Sequence, residues 1–139
     1  MSPIISLPAV RSDKTPFSGK YTVCPERSTE LAATNFVRKL RIRSHLKGYP
    51  YLITAIVLGK HYPHLLSSLT HLLYPAVAAV YNTTAAAVER NIRNAIDLAA
   101  SHDPEHFQSV FYYHTRKPYI SEVLALALDT IRLEQFAEI

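Results

Sequence analysis

The chain has 139 residues, 48% of them hydrophobic and 19% charged, a balance that excludes a disordered polymer and suffices for one domain with a buried core. A formal net charge of +4 and an isoelectric point near 9.3 fit an anionic partner. A single cysteine, Cys24, excludes an internal disulfide framework, and no apolar run approaches the roughly 20 residues of a membrane span or the pattern of a signal peptide, so a cytoplasmic protein is expected. With only 3 glycines and long alanine and leucine runs, helices are predicted throughout.

Residues 1–27 contain Pro3, Pro8, Pro16 and Pro25 with no sustained period, and read as an irregular arm of the kind often disordered at termini. Arg11, Lys14, Lys20 and Arg27 outnumber Asp13 and Glu26 there, so the arm is either a loose terminus or a segment that tracks phosphate. The rest, residues 28–139, is expected to form one helical domain. Ser28 is the expected cap of a first helix, with Glu30 in its first turn and Leu31, Phe36, Val37, Leu40 and Ile42 on its buried side. Arg38, Lys39, Arg41 and Arg43 gather toward its end, followed by Lys47. Cations suit a helix C-terminus in any protein, and a run this dense also makes a phosphate-facing patch. Gly48 reads as the stop of this segment.

A second helix is predicted from about Pro50, since proline suits a first turn. Leu52, Ile53, Ala55, Ile56, Val57 and Leu58 make it apolar on nearly all sides, the pattern of a helix central to the core. Residues 59–63 break it. A third helix is predicted from His64 or Leu65 to Tyr81, with Pro75 bending it or marking a restart. Asn82-Thr83-Thr84 then supplies turn-forming and capping residues, with Thr84 the expected N-cap of a fourth helix. Ala85, Val88, Ile92, Ala95, Ile96 and Ala99 recur at three and four residues, which buries one face and leaves Glu89, Arg90, Arg93, Asn94 and Asp97 on the other.

An almost uncharged helix, a short polar turn and a helix with charge on one face make the outline of a helix-turn-helix DNA reader. Arg90 and Arg93 lie in the N-terminal half of the second of these helices, where base-contacting side chains are usually presented. An ordinary capped amphipathic helix with a solvated face has the same pattern. Asp103 is expected to cap a short fifth helix through about Tyr112, and a loop follows containing Arg116, Lys117 and Pro118. A last helix is predicted over residues 122–136, burying Val123, Leu124, Leu126, Ala127, Leu128, Ile131 and Leu133. The expected fold class is all-α, about six helices, with a central helix-turn-helix in the third and fourth.

His102 and His106 lie four apart, and His61 and His64 three apart. Zinc wants three or four ligands and no cysteine is near either pair, so surface or capping roles are expected and no metal or cofactor. No Ser/His/Asp order, glycine-rich phosphate loop or paired acidic constellation calls for an enzyme. Phe107, Phe111, Tyr112, Tyr113 and Tyr119 gather around the fifth helix, as core or as a protein-contact patch.

His45-Leu46-Lys47-Gly48-Tyr49-Pro50-Tyr51-Leu52 resembles the His-x-Lys-Gly-Tyr-x-Tyr-Leu signature of the C-terminal DNA-binding effector domain of the sporulation master regulator family, the stage-zero sporulation initiation response regulators. The resemblance continues through Leu73-Tyr74-Pro75, Asn82-Thr83-Thr84, Val88-Glu89-Arg90, Ile92-Arg93 and Ala95-Ile96. It closes with Lys117-Pro118, Ser121-Glu122 and Ile131-Arg132-Leu133-Glu134, and so spans about residues 31–135. Several motifs in the right order and spacing are far more specific than any one of them.

The resemblance implies a six-helix, all-α domain that binds double-stranded DNA as tandem copies and regulates transcription. It assigns base readout to Glu89, Arg90 and Arg93, with Asn94 on the same face, and backbone contacts to Lys47, Thr83, Thr84, Ala86 and Lys117. The chemistry agrees: arginine pairs bidentately with guanine, and glutamate accepts from the cytosine amino group. A tandem homodimer on DNA would have its subunit contact near the fifth and last helices.

The sequence also departs from the family pattern. Ala86-Ala87 stands where Ser-Arg is typical, Ala79 and Val80 replace common lysines, and Asn91 and Asn94 replace alanine and histidine. These changes imply an altered operator and a weaker hold on phosphate. Residues 1–27 are too short for the receiver domain that precedes typical members, so receiver phosphorylation is not the expected switch. The competing expectation is a protein-interaction module of the same fold that pairs with or titrates another regulator.

Overall fold

The computed structural model describes residues 25–111 and 117–137, and among them the chain forms six α-helices and no strand. These are α1 (Pro25–Lys39), α2 (Gly48–His61), α3 (Tyr74–Tyr81), α4 (Ala85–His102), α5 (Pro104–Phe111) and α6 (Ile120–Ala137). Most of the arm expected at the N-terminus lies outside the described residues, as do Tyr112 and Tyr113 of the aromatic cluster. None of the described helices is long and apolar enough to cross a membrane.

α1 opens on Pro25, whose missing N–H costs nothing in a first turn, so it begins ahead of Ser28, the expected cap. Its inward stripe is Thr29, Ala33, Phe36, Val37 and Leu40, all buried, whereas Leu31 is 64% exposed. The buried positions step by three and four residues, and Leu31, expected in the core, falls between them on the opposite side.

The helix ends in a Schellman turn. Arg41 takes a left-handed backbone with φ 65°; its N–H donates to Arg38 O at 2.9 Å, and the Ile42 N–H reaches Val37 O at 3.4 Å. Val37 and Ile42 are both buried, as the apolar contact of this motif requires. Arginine in a left-handed position costs about 1 kcal/mol that glycine would avoid. Arg41 pairs there with Asp103, Nη1 to Oδ2 at 2.7 Å, and His106 Nε2 donates to the Lys39 carbonyl at 2.8 Å. One orphan acceptor at the end of α1 is thus filled from α5. Asp103 caps α5 as expected, accepting the His106 N–H at 3.2 Å.

Gly48 opens α2 rather than closing the segment before it. A Cβ on Gly48 would lie 2.3 Å from the Asn91 carbonyl oxygen and 2.7 Å from Ala95 Cβ, so only a glycine lets α2 approach α4 this closely. From Tyr51 to Ile56 every residue of α2 is buried, and the helix touches α1, α3, α4 and α6. It is the central helix that its all-round apolar composition predicts.

The long third helix expected from His64 is three pieces instead. Pro63–Ser67 forms a 3-10 turn, Ser68 is extended (φ −153°, ψ 106°), and Leu69–Leu73 forms a π-helical turn that runs into α3. The Ser68 hydroxyl accepts the His71 N–H at 3.2 Å, so serine's capping chemistry breaks the run, and Pro75 sits in the first turn of α3. At the far end of the chain, Tyr119 N–H donates to Glu122 Oε1 at 2.8 Å, half of a capping box, and starts α6. α6 buries Ile120, Val123, Leu124, Ala127 and Ile131, while Leu133, expected in the core, is 52% exposed. The buried stripe steps from Ala127 to Ile131 and leaves Leu133 on the outer side.

Gly48→Ala should overpack the α2–α4 contact and cost about 1–3 kcal/mol or more in urea unfolding. An unchanged midpoint would mean that the helices part without penalty. Among the described residues the buried His61 Nε2 has no hydrogen-bond partner, and burial, with Lys60 beside it, holds the imidazole below its ordinary value of 6.5. Protons therefore bind the unfolded chain more readily. The contribution of His61 to stability is full above pH 6.5 and is lost as pH falls through the depressed folded value. His61→Gln should flatten the pH dependence of stability below pH 6.5, measured by denaturant melts across that range.

Candidate nucleic-acid interface

The turn between α3 and α4 is built by three polar residues. Asn82 takes the left-handed region (φ 54°, ψ 51°), which asparagine tolerates better than most residues, and the Thr83 N–H closes on Ala78 O at 3.0 Å. Thr84 is extended, and its hydroxyl accepts the Ala87 N–H at 3.1 Å, so it is the N-cap of α4 that its residue type predicts.

Tyr81 anchors this turn to the core. Its hydroxyl meets Thr54 Oγ1 of α2 at 2.7 Å, and its ring lies 5.0 Å from that of Tyr51. Burial pushes the Tyr81 phenol above its ordinary range, with the Thr54 hydrogen bond acting the other way. The neutral hydroxyl, which can donate, is the form that holds the turn.

α4 buries Val88, Ile92, Ala95, Ile96 and Ala99, as the spacing predicts, while Ala85 is half-buried. Ala86, Arg90, Arg93 and Asn94 are exposed on the other side. Glu89 is half-buried and forms an ion pair with Arg93 one turn on. Asn91 is occupied locally, its Nδ2 donating to the Ala87 carbonyl at 2.7 Å.

Both flanks of this exposed side carry cations. On one, the Gly48 contact brings the α1–α2 loop against α4, with Lys47 exposed at the start of α2. Arg41, Arg43 and His45 rim a groove of about 340 Å³ there, facing Leu98 and His102. On the other flank a groove of about 450 Å³ is lined by Tyr74, Glu89, Arg93, Asp97, Lys117 and Tyr119. Lys117 Nζ stands 4.0 Å from Asp97 Oδ1. Burial raises the Tyr74 phenol, and the neighbouring Arg93 charge opposes that shift.

The structure thus brings Glu89, Arg93 and Lys117 to one groove, Arg90 and Asn94 to the ridge beside it, and Lys47 to the opposite flank. Thr83, Thr84 and Ala86 stand together at the start of α4. Arg43, His45 and Tyr74 join the site unexpectedly. Arg43 was visible as part of a basic run, but its approach to α4 depends on Gly48, a tertiary contact with no periodic signal. Ala79 and Val80 are both exposed, Val80 by 43%. Phe107 and Phe111 are buried with centroids 5.1 Å apart, while Tyr119 is 65% exposed.

Removing the α4 cap in Thr84→Ala should cost about 1 kcal/mol in thermal or urea unfolding, and Thr84→Ser should retain most of it. Equal stability of all three proteins would remove the capping role.

The model of the family described as sporulation initiation factor Spo0A C terminal matches residues 33–131. That match covers most of the chain and all of α2 to α5, including the two flanks and the ridge between them. The family is one of DNA-binding effector domains in transcription regulation. The chain belongs to the Spo0A C-terminal family.

Proposed function

We propose that the chain is a cytoplasmic transcriptional regulator that binds double-stranded DNA sequence-specifically through a helix-turn-helix formed by α3 and α4. The observation that carries this reading is the exposed side of α4, which presents Arg90, Arg93 and Asn94 between a flank rimmed by Arg41, Arg43 and His45 and a mixed-charge flank where Lys117 stands beside Asp97. A major groove about 12 Å wide admits one helix and has a phosphate wall on each side. With α4 in the groove, Lys47 and Lys117 would meet opposite walls. The hydroxyls of Thr83 and Thr84 and the main-chain N–H of Ala86 would take phosphate at the positive end of the helix dipole. Glu89, Arg90, Arg93 and Asn94 would read bases, with Glu89 and Arg93 exchanging their mutual ion pair for base edges. In this reading the helices from α1 onward form the DNA-binding domain, and two copies bind in tandem.

One observation favours a second reading. Ala79, Val80 and Ala86 put apolar surface where the family pattern has cations or a hydroxyl. A protein-interaction module that pairs with or titrates another regulator would use such a surface.

Salt separates the two. Contacts from about six cations give a log–log slope of affinity against salt near −5, whereas an interaction module has little DNA affinity at any salt. Arg93→Ala should cost about 1–3 kcal/mol and relax specificity at one base pair in titrations against operator variants. Unchanged binding to every variant would remove Arg93 from the readout.

A further inference from the structure

Ala86, Arg90 and Asn94 are exposed and lie four residues apart along α4. That spacing returns to nearly the same face, so they form one ridge along the middle of the exposed side. The neighbouring polar side chains are engaged elsewhere. Glu89 and Arg93 hold each other beside the groove with Tyr74 and Lys117. Asn91 is tied to the Ala87 carbonyl, and its own carbonyl lies against Gly48. The Asn94 carboxamide has no such bond among the described residues.

Each ridge residue has a preferred base by chemistry. A carboxamide donates and accepts together, which matches N7 and the N6 amino group of adenine; a guanidinium matches guanine O6 and N7; a methyl group packs on the C5-methyl of thymine. We propose that Asn94 and Ala86 are specificity-determining residues, Asn94 reading an adenine and Ala86 a thymine methyl on either side of a guanine held by Arg90. This inference rests on the DNA-binding function proposed above. The Ala86 N–H points along the helix axis and its methyl points sideways, so a phosphate contact by the former is compatible with a base contact by the latter.

An i to i+4 step advances about 6 Å along a helix. Successive base pairs are about 3.4 Å apart. With α4 following the groove, the three contacts fall about two base pairs from one another. The operator would therefore hold a G·C pair with an A·T pair about two positions away on each side.

The test is selection from a random duplex pool with the full chain, comparing wild type, Arg90→Ala and Asn94→Ala. Wild type should enrich that arrangement, and Asn94→Ala should lose preference in one flanking A·T column alone, binding the selected site between about fivefold and a hundredfold more weakly. Replacing the other flanking thymine by deoxyuridine, which lacks the methyl, should weaken wild-type binding about fourfold and leave Ala86→Gly unaffected. A wild-type motif that depends on Arg90 but is unchanged in Asn94→Ala, is eroded evenly over all columns, or is indifferent to deoxyuridine would overturn the ridge assignment alone. No motif from wild type would overturn it together with the function on which it rests.

Discussion

At Gly48 the start of α2 lies against the backbone of α4, where a single Cβ would fall 2.3 Å from the Asn91 carbonyl oxygen. A contact with main chain on both sides cannot be relaxed by changing a rotamer, so it fixes the spacing of the two helices. The remaining geometry follows from it. α2 is held as the central helix, and its Thr54 is placed to take the Tyr81 hydroxyl. That bond fixes the end of α3, and the short turn through Asn82 and Thr84 then aims α4. The same approach sets Lys47 beside α4, opposite the flank that carries Lys117.

Charge on this surface is arranged to be exchangeable. The Glu89–Arg93 pair joins a half-buried carboxylate to an arginine side chain that is 60% exposed. Such a pair one helical turn apart contributes about 0.3–0.5 kcal/mol, less than the roughly 1–3 kcal/mol of one good bidentate base contact. On the proposed function it would hold Arg93 in place in the free protein without preventing its transfer to a base. Asn91 is different, because its amide satisfies a carbonyl of its own helix and its backbone is enclosed by Gly48. Two asparagines three residues apart thus have separate roles, one structural and one available to a ligand.

Sequence reasoning was strongest where the controlling interaction is local. The Thr84 cap, the Asp103 cap, the buried stripe of α4 and the all-round apolarity of α2 each depend on a few neighbouring residues, and each stands in the structure. It failed at stripe edges and at residues with two meanings. Leu31 and Leu133 are apolar but sit off the inward face. A glycine between two segments signals a helix stop and a close helix approach equally well, and only the Asn91 contact decides for Gly48. The extended Ser68 and the π-helical turn after it were hidden in an apolar run with helical composition. For the site, the side chains of α4 were legible because an amphipathic helix sorts them by spacing. The Glu89–Arg93 pair was legible in the same spacing but went unread, and the pairing of Arg43 and His45 with α4 required the tertiary fold.

Amide chemical-shift mapping reports directly whether the exposed side of α4 and its two flanks form the DNA-binding face. Isotope-labelled protein would be titrated with a duplex carrying its selected site. The largest shifts are expected on residues 83–97, with further shifts at Lys47 and Lys117, while the amides of α6 stay largely still. Shifts centred on α5 and α6, with residues 86–94 unmoved, would contradict that placement of the DNA-binding face.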